Sequence, residues 1–124
     1  SSAASDIFIT GYFPHESFPE LYRNSEACVF PSVNEGAGLP ILEAMATGIP
    51  VACAKAGALP EVAGNNALFF DSNNIEEFAS CIEKITTDEV FRKKISESAL
   101  VWSKRFSWEK CVLETLEIIK SILK

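Results

Sequence analysis

Two carboxylates and the glycine-rich run between them are the part of the sequence best suited to chemistry. Glu35 and Glu43 are separated by seven residues, which include Gly36 and Gly38. A carboxylate only accepts hydrogen bonds and can take two neighbouring hydroxyl groups at once. A glycine lets a ligand approach the backbone because it has no Cβ. The pattern therefore predicts a pocket for a molecule rich in hydroxyl groups.

The same run predicts an anion site at the start of a helix. Pro40 is tolerated in a first helical turn because its missing N–H would be unpaired there, and an apolar helical stripe follows over 42–46. The unpaired N–H groups of a first turn attract negative charge. We expect the amides of Ala37, Gly38 and Leu39 to bind a diphosphate or a sugar hydroxyl. A ribose on one carboxylate and a sugar on the other would complete a nucleotide-sugar pocket.

Spacing alone leaves simpler interpretations open. Glu43 could be a helix residue favoured by the positive end of the helix dipole. Glu35 could be an ordinary loop residue, and a glycine-rich loop before a helix is common.

Short apolar runs that alternate with helical patterns predict the elements that position this loop. The absence of tight hairpin signals favours parallel strands, so we expect an α/β fold, a Rossmann-like parallel sheet with flanking helices. In such sheets ligands bind beyond the carboxyl ends of the strands, which is where the loop after the second run falls. The predicted strands are 7–9, 27–30, 51–54 and 67–70; the predicted helices are 17–24, 40–46, 75–85, 88–102 and 107–123, with a helical turn at 60–62.

Composition narrows the class of protein. The chain has 124 residues, of which 48% are apolar, so it holds one core. A net charge of −6 argues against nucleic acid and anionic membranes as partners.

Four cysteines without a CxxC pair predict free thiols in a reducing compartment. The one histidine, His15, has no neighbouring metal ligand, and Trp102 and Trp108 are expected in the core.

A long stretch of the chain resembles a known family. The sequence ITGYFPHESFPELYRNSEACVFPSVNEGAGLPILEAMATGIPVACAKAGALPEV, followed by NNALFFDSNNIEEFASCI and the Phe106-Ser107-Trp108 element, is similar to the donor domain of retaining glycosyltransferases of family four, or group 1, which have the GT-B fold. The spacing of Glu35 and Glu43, combined with the EAMATGIPV that follows, is the most specific part of this resemblance.

The resemblance implies roles for single residues. Glu43 would bind the ribose hydroxyls, and Glu35, as the catalytic residue, would contact the donor sugar near its reacting face. Sugar hydroxyls and phosphate would be held by the loop residues Gly36, Ala37, Gly38 and Leu39. The family needs no metal and no cofactor, and it transfers a sugar from a nucleotide diphosphate to an acceptor hydroxyl with retained configuration.

The sequence also departs from the family. Alanine stands at position 37, where an aromatic residue is frequent, and Lys55 is the only Lys or Arg in the central motif region. Nothing before Ile7 matches the acceptor domain or the basic residues that neutralise the leaving diphosphate. Residues 1–124 are therefore expected to be the partial C-terminal donor domain of an N-terminally truncated enzyme, inactive or nearly so alone.

Three further expectations follow from this resemblance. An incomplete sheet exposes an unpaired edge, so we expect self-association through that edge. The acceptor, a glycan, lipid or other hydroxyl compound, would be bound by the missing domain, and the enzyme would be cytoplasmic or at the inner membrane face. The alternative is a noncatalytic nucleotide-binding or partner subunit derived from the same fold.

Overall fold

The core of the fold is a parallel sheet of three strands. A computed structural model describes residues 2–123, so Ser1 and Lys124 of the predicted domain lie outside the described residues. The strands are β1 (Cys28–Phe30), β2 (Val51–Ala54) and β3 (Leu68–Phe70), in the order β1-β2-β3. All pairs are parallel, with Val29 opposite Ala52 and Cys53 opposite Phe69. The predicted α/β architecture with a parallel sheet and flanking helices is confirmed.

Helices connect and flank these strands. Two short 3-10 helices, Ser2–Asp6 and His15–Ser17, precede the first α-helix. The α-helices are α1 (Phe18–Arg23), α2 (Leu39–Ala46), α3 (Leu59–Ala63), α4 (Ile75–Thr87), α5 (Glu89–Ser103) and α6 (Trp108–Ile122). Helix α2 joins β1 to β2, and α3 joins β2 to β3, which are the crossovers that parallel pairing requires.

Side-chain caps fix the starts of the last three helices. Asn74 accepts a hydrogen bond from the Glu77 N–H, Asp88 from Phe91, and Ser107 from Lys110. These caps satisfy backbone donors that have no partner inside the helix.

The central strand, β2, is completely buried in the core. All four residues of β2 have 0% exposure, and because successive side chains of a strand point to opposite faces, both faces of the sheet are covered there. Around the strand pack the fully buried side chains Ile41, Met45, Leu59, Phe70 and Ile85. Helix α2 packs against β1, β2 and α5, so the core holds the helix that follows the glycine-rich loop.

The predicted strand at 7–9 is wrong. Ile7, Phe8 and Ile9 are 68%, 86% and 94% exposed, and they pair with no strand among residues 2–123. An apolar run becomes a strand only where a neighbouring strand satisfies its backbone groups. The outer edge of β1 has no partner in the described part of the chain, so the sheet has three strands rather than about four.

The last helix, α6, exposes apolar side chains to solvent and contributes no buried residue to the core. No residue of α6 is buried, and Trp108 is 74% exposed, so its predicted core position is wrong. Trp102, on α5, does pack against the core as predicted. Within the described residues, no helix has the length and apolar character that crossing a bilayer demands.

Candidate functional site

The loop after β1 and the start of α2 form the candidate site at the carboxyl edge of the sheet. The chain leaves β1 at Phe30 and enters α2 at Leu39. The N-cap is Gly38, with φ 59° and ψ 35°, a left-handed conformation that favours glycine. Gly38 is buried, whereas Gly36 and Ala37 are exposed. The loop therefore presents its middle to solvent and fixes its end against the protein.

The predicted donors are unpaired. The N–H groups of Gly36, Ala37, Gly38 and Leu39 donate no hydrogen bond to any described residue, and the helix bonds begin with Ile41 N–H to the Gly38 carbonyl. No side chain caps this helix, unlike the last three helices. Unpaired N–H groups beside a helix start provide the geometry for an anion or a sugar hydroxyl.

The two carboxylates lie within the same loop and helix. Glu35 is half-buried in the loop, and Glu43, the fifth residue of α2, is half-buried in its second turn. Neither carboxylate forms an ion pair or accepts a hydrogen bond among residues 2–123. All six predicted site residues thus fall on one continuous segment, and their contacts with a ligand stay a prediction.

Sequence analysis did not reveal that Tyr22 is a neighbour of the site. Burial, with smaller contributions from Cys28 and the Glu43 carboxylate, raises the pKa of Tyr22 to about 12. Its ring stacks on Phe18 at 6.0 Å between ring centroids, and α1 packs against α2. In the sequence, Tyr22 has only the spacing of an apolar helix face within 17–24. That spacing does not indicate that Tyr22 lies near Glu43.

The connection between β2 and α3 lies against the loop. The Ala58 N–H donates to the Glu35 carbonyl, and the fully buried Leu59 lies beside Gly38. Lys55, at the end of β2, is exposed and has no ion-pair partner in the described chain, as expected of a solvated lysine. Glu61 lies in the first turn of α3.

A cleft lies at the opposite edge of the sheet from this loop. It has a volume of about 520 Å³ and includes residues 24–26, before β1, and 48–50, before β2. Its Arg92 guanidinium is already paired with Glu26 at 2.6 Å. Parallel sheets bind ligands at the carboxyl ends of their strands. We therefore take the loop after β1, and not this cleft, as the candidate site.

The structure also shows where the histidine and the cysteines lie, which are residue types that can bind a metal. His15 contacts the Phe18 ring, at 5.7 Å between centroids. Among residues 2–123 no three His, Cys, Asp or Glu side chains are grouped as metal ligands. All four cysteines are free thiols, as predicted, and burial raises the pKa of Cys28 to about 11 and that of Cys53 to about 12.

Sequence comparison relates this chain to proteins that transfer sugars. The family model described as glycosyl transferases group 1 matches residues 3–102. The O-antigen chain mannosyltransferase B of Escherichia coli is 40% identical over 110 residues, which are 89% of this chain and 29% of that protein. The chain thus spans under a third of the length of this relative.

Two solved structures resemble the fold. A sucrose-phosphate synthase from Thermosynechococcus elongatus superimposes with a TM-score of 0.88 over 98% of this chain and 31% of that one, at 23% identity, which shows the fold alone. The C-terminal domain of a group 1 family glycosyl transferase (LpcC) from Francisella tularensis has a TM-score of 0.70 and 31% identity, over 80% of this chain and 52% of that one.

Proposed function

This chain belongs to the group 1 glycosyl transferases, and on that premise we propose that it forms the nucleotide-sugar-binding part of a retaining glycosyltransferase. The observation that carries the proposal is the loop from Glu35 to Leu39, where four unpaired N–H groups follow an unpaired carboxylate at the carboxyl edge of the sheet. A second unpaired carboxylate, Glu43, follows in the next helix. These groups match the diphosphate and hydroxyl groups of a nucleotide sugar.

Each part of the donor has a proposed partner. Glu43 accepts hydrogen bonds from the ribose hydroxyls, and the amides of the loop and the helix start hold the diphosphate and sugar hydroxyls. Glu35 contacts the sugar near its reacting carbon. A mannosyl group is the first donor to test, because a relative 40% identical to this chain is described as a mannosyltransferase.

The proposed reaction keeps the configuration at the anomeric carbon. The bond from this carbon to the diphosphate oxygen breaks, and the acceptor oxygen bonds to the carbon from the same face. The acceptor's hydroxyl proton leaves with the diphosphate. The protein contributes position and preorganised charge stabilisation, and we propose that neither a metal nor an organic cofactor takes part.

The acceptor and the location belong to the same proposal. The acceptor is a glycan, lipid or other hydroxyl compound, held outside the donor loop. Free thiols at all four cysteines suit a reducing compartment, so we place the protein in the cytoplasm.

We further propose that the chain self-associates. Its accessible surface is 8840 Å². A folded monomer of this size is expected to expose roughly 6,600 Å². Large apolar side chains are exposed both at 7–9, which precede β1 in the sequence, and along α6. A second copy that covers these surfaces would remove them from water.

One observation favours the alternative of a noncatalytic nucleotide-binding or partner subunit. Lys55 is the only Lys or Arg between residues 24 and 83, so the loop has little positive side-chain charge with which to neutralise a leaving diphosphate. A chain of this type would bind the nucleotide without assisting its departure. Transfer assays on the longer protein that contains this chain, with a bound donor, separate the two functions.

The binding site can be tested by titrating GDP-mannose and UDP-glucose while following backbone amide signals. We expect shifts concentrated at residues 36–39 for the donor that binds. Residues 24–26, in the cleft at the opposite edge, are the internal control and should not respond. No shift with either donor, or shifts only at the control residues, would contradict the proposed site.

A further inference from the structure

We infer that Gly57 and Ala58 are positioning residues that hold the backbone of Glu35 in place for the donor sugar. The inference rests on the proposed function, since it concerns the geometry of the same pocket. Neither residue needs to touch the ligand. Both act through the backbone of the loop that carries Glu35.

The first contact is between two backbones. Gly57 has φ +54°, and a Cβ built there would lie 2.7 Å from the Glu35 carbonyl oxygen and 3.0 Å from its nitrogen. The obstructing atoms belong to the backbone and cannot move aside as a flexible side chain could. Only glycine fits at position 57 while the Glu35 backbone stays where it is.

Two further contacts secure the loop. The Ala58 N–H donates to the Glu35 carbonyl at 3.0 Å. At the other end of the loop, a Cβ on Gly38 would lie 2.9 Å from Cδ2 of Leu59, which is fully buried. Residues 57–59 therefore hold both ends of the run from Glu35 to Gly38.

The middle of the loop is left open. A Cβ on Gly36 would meet no atom within 4 Å, and Gly36 and Ala37 are exposed. The donor can thus reach these amides while the ends of the loop stay fixed. Such preorganisation matters because a misplacement of about 1 Å can cost roughly 10²-fold in rate.

The test compares two glycine substitutions with similar backbone strain. Gly57→Ala introduces the backbone clash at φ +54°, whereas Gly11→Ala, at φ +64°, places its Cβ where nothing lies within 4 Å. Calorimetry measures the affinities for GDP and GDP-mannose, or for UDP and UDP-glucose if that pair binds. We expect G57A to lower the ratio of sugar-nucleotide to nucleotide affinity about tenfold, and G11A to leave it unchanged.

A double-mutant cycle shows whether Gly57 acts through Glu35. We expect E35A to lower the same ratio and G57A to have no further effect in the E35A background. An unchanged ratio in G57A alongside a lowered ratio in E35A overturns the inference and leaves the proposed function intact. Equal losses of nucleotide and sugar-nucleotide affinity in G57A also overturn it, because they indicate general damage. No binding by the unmodified chain means that the proposed function has failed.

A second variant covers the case in which G57A does not fold. Ala58 has φ −79°, within the range that proline takes, so Ala58→Pro keeps this angle but removes the donor to Glu35 and turns a ring carbon against the Glu35 carbonyl oxygen. We expect the affinity ratio to fall by several-fold in A58P, because the Glu35 backbone loses its donor and is displaced by the ring. A folded A58P variant with an unchanged ratio overturns the inference.

Discussion

The indole N–H of Trp102 donates to the Val62 carbonyl at 2.7 Å, and this bond ties helix α5 to the end of α3. The same ring covers Gly64, where a Cβ would lie 2.9 Å from it. Trp102 thus holds α3, the crossover between β2 and β3, against α5, a helix that comes much later in the chain. The carbonyl it satisfies would otherwise lose a partner in a part-buried position.

Trp102→Phe should lower the stability of the fold because it keeps an aromatic ring but removes the donor. The expected cost is about 1 kcal/mol, or a fall of about 3–6 °C in unfolding temperature. Thermal unfolding followed by circular dichroism measures this. The control is Trp108→Phe at a 74% exposed position, where we expect little change. Equal effects at the two positions would contradict the anchoring role of Trp102.

The two carboxylates of the site should have separable effects on binding. Glu43→Gln should weaken GDP and GDP-mannose alike by about tenfold or more, because it loses charge-assisted bonds to the ribose. Glu35→Gln should weaken only the sugar nucleotide. Calorimetry with both ligands distinguishes the two patterns. Glu97→Gln, exposed at the opposite edge, is the control, and an equal loss there would exclude a specific site.

The thiols should differ sharply in reactivity. Cys111 is exposed, whereas burial raises the pKa of Cys28 to about 11 and that of Cys53 to about 12. The thiolate is the reactive form, so at pH 8 Cys111 should react fast and the other three slowly. Titration with an aromatic disulfide reagent should show one fast thiol in the native protein and four in denaturant. Cys111→Ser should remove the fast phase, and a remaining fast thiol would contradict the burial of the others.

Stability should fall at alkaline pH partly because of Tyr22. Its folded pKa of about 12 lies above the unfolded value of 10.0, so above pH 10 the unfolded chain releases a proton that the folded chain keeps. This contribution is present below pH 10 and is lost as the pH rises towards 12. Urea unfolding at pH 8 and pH 11 measures the loss, which should be smaller in Tyr22→Phe. Tyr12→Phe, at a 91% exposed position, should behave as the unmodified chain.

The apolar face of α6 should drive self-association. Leu116 and Ile119 lie on one stripe of this helix and are 45% and 46% exposed. Light scattering at high concentration should show oligomers, and Ile119→Glu should shift the population towards monomer by placing a charge on the stripe. Glu117→Ser, on the polar side, is the control. A monomer in the unmodified chain at high concentration would contradict the proposed self-association.

Much of the fold was predictable because local signals were strong. Val51–Ala54 was predicted as a strand with the bounds that the structure gives, and the caps Asn74, Asp88 and Ser107 follow from short-range hydrogen bonding. The run at 7–9 shows the limit of such signals. Its apolar residues suit a strand, but strand formation depends on a neighbour that local sequence does not specify.

The segment that carries the candidate site could be predicted from the sequence, but the contacts that hold this segment in place could not. Glu35, Glu43 and the glycines between them are visible as a pattern over nine consecutive positions. The contact of Gly57 with the Glu35 backbone joins two loops that are distant in sequence. Only the folded chain brings them together, so residue types alone could not reveal the contact. The proximity of Tyr22 to Glu43 was missed for the same reason.

The short side chains of the central strand limit how this protein can evolve. Ala52, Cys53 and Ala54 are completely enclosed, so a larger side chain there has no space and would push neighbouring helices apart. The exposed loop positions 36 and 37 have no such restriction, so the loop can change while the strand beneath it stays the same.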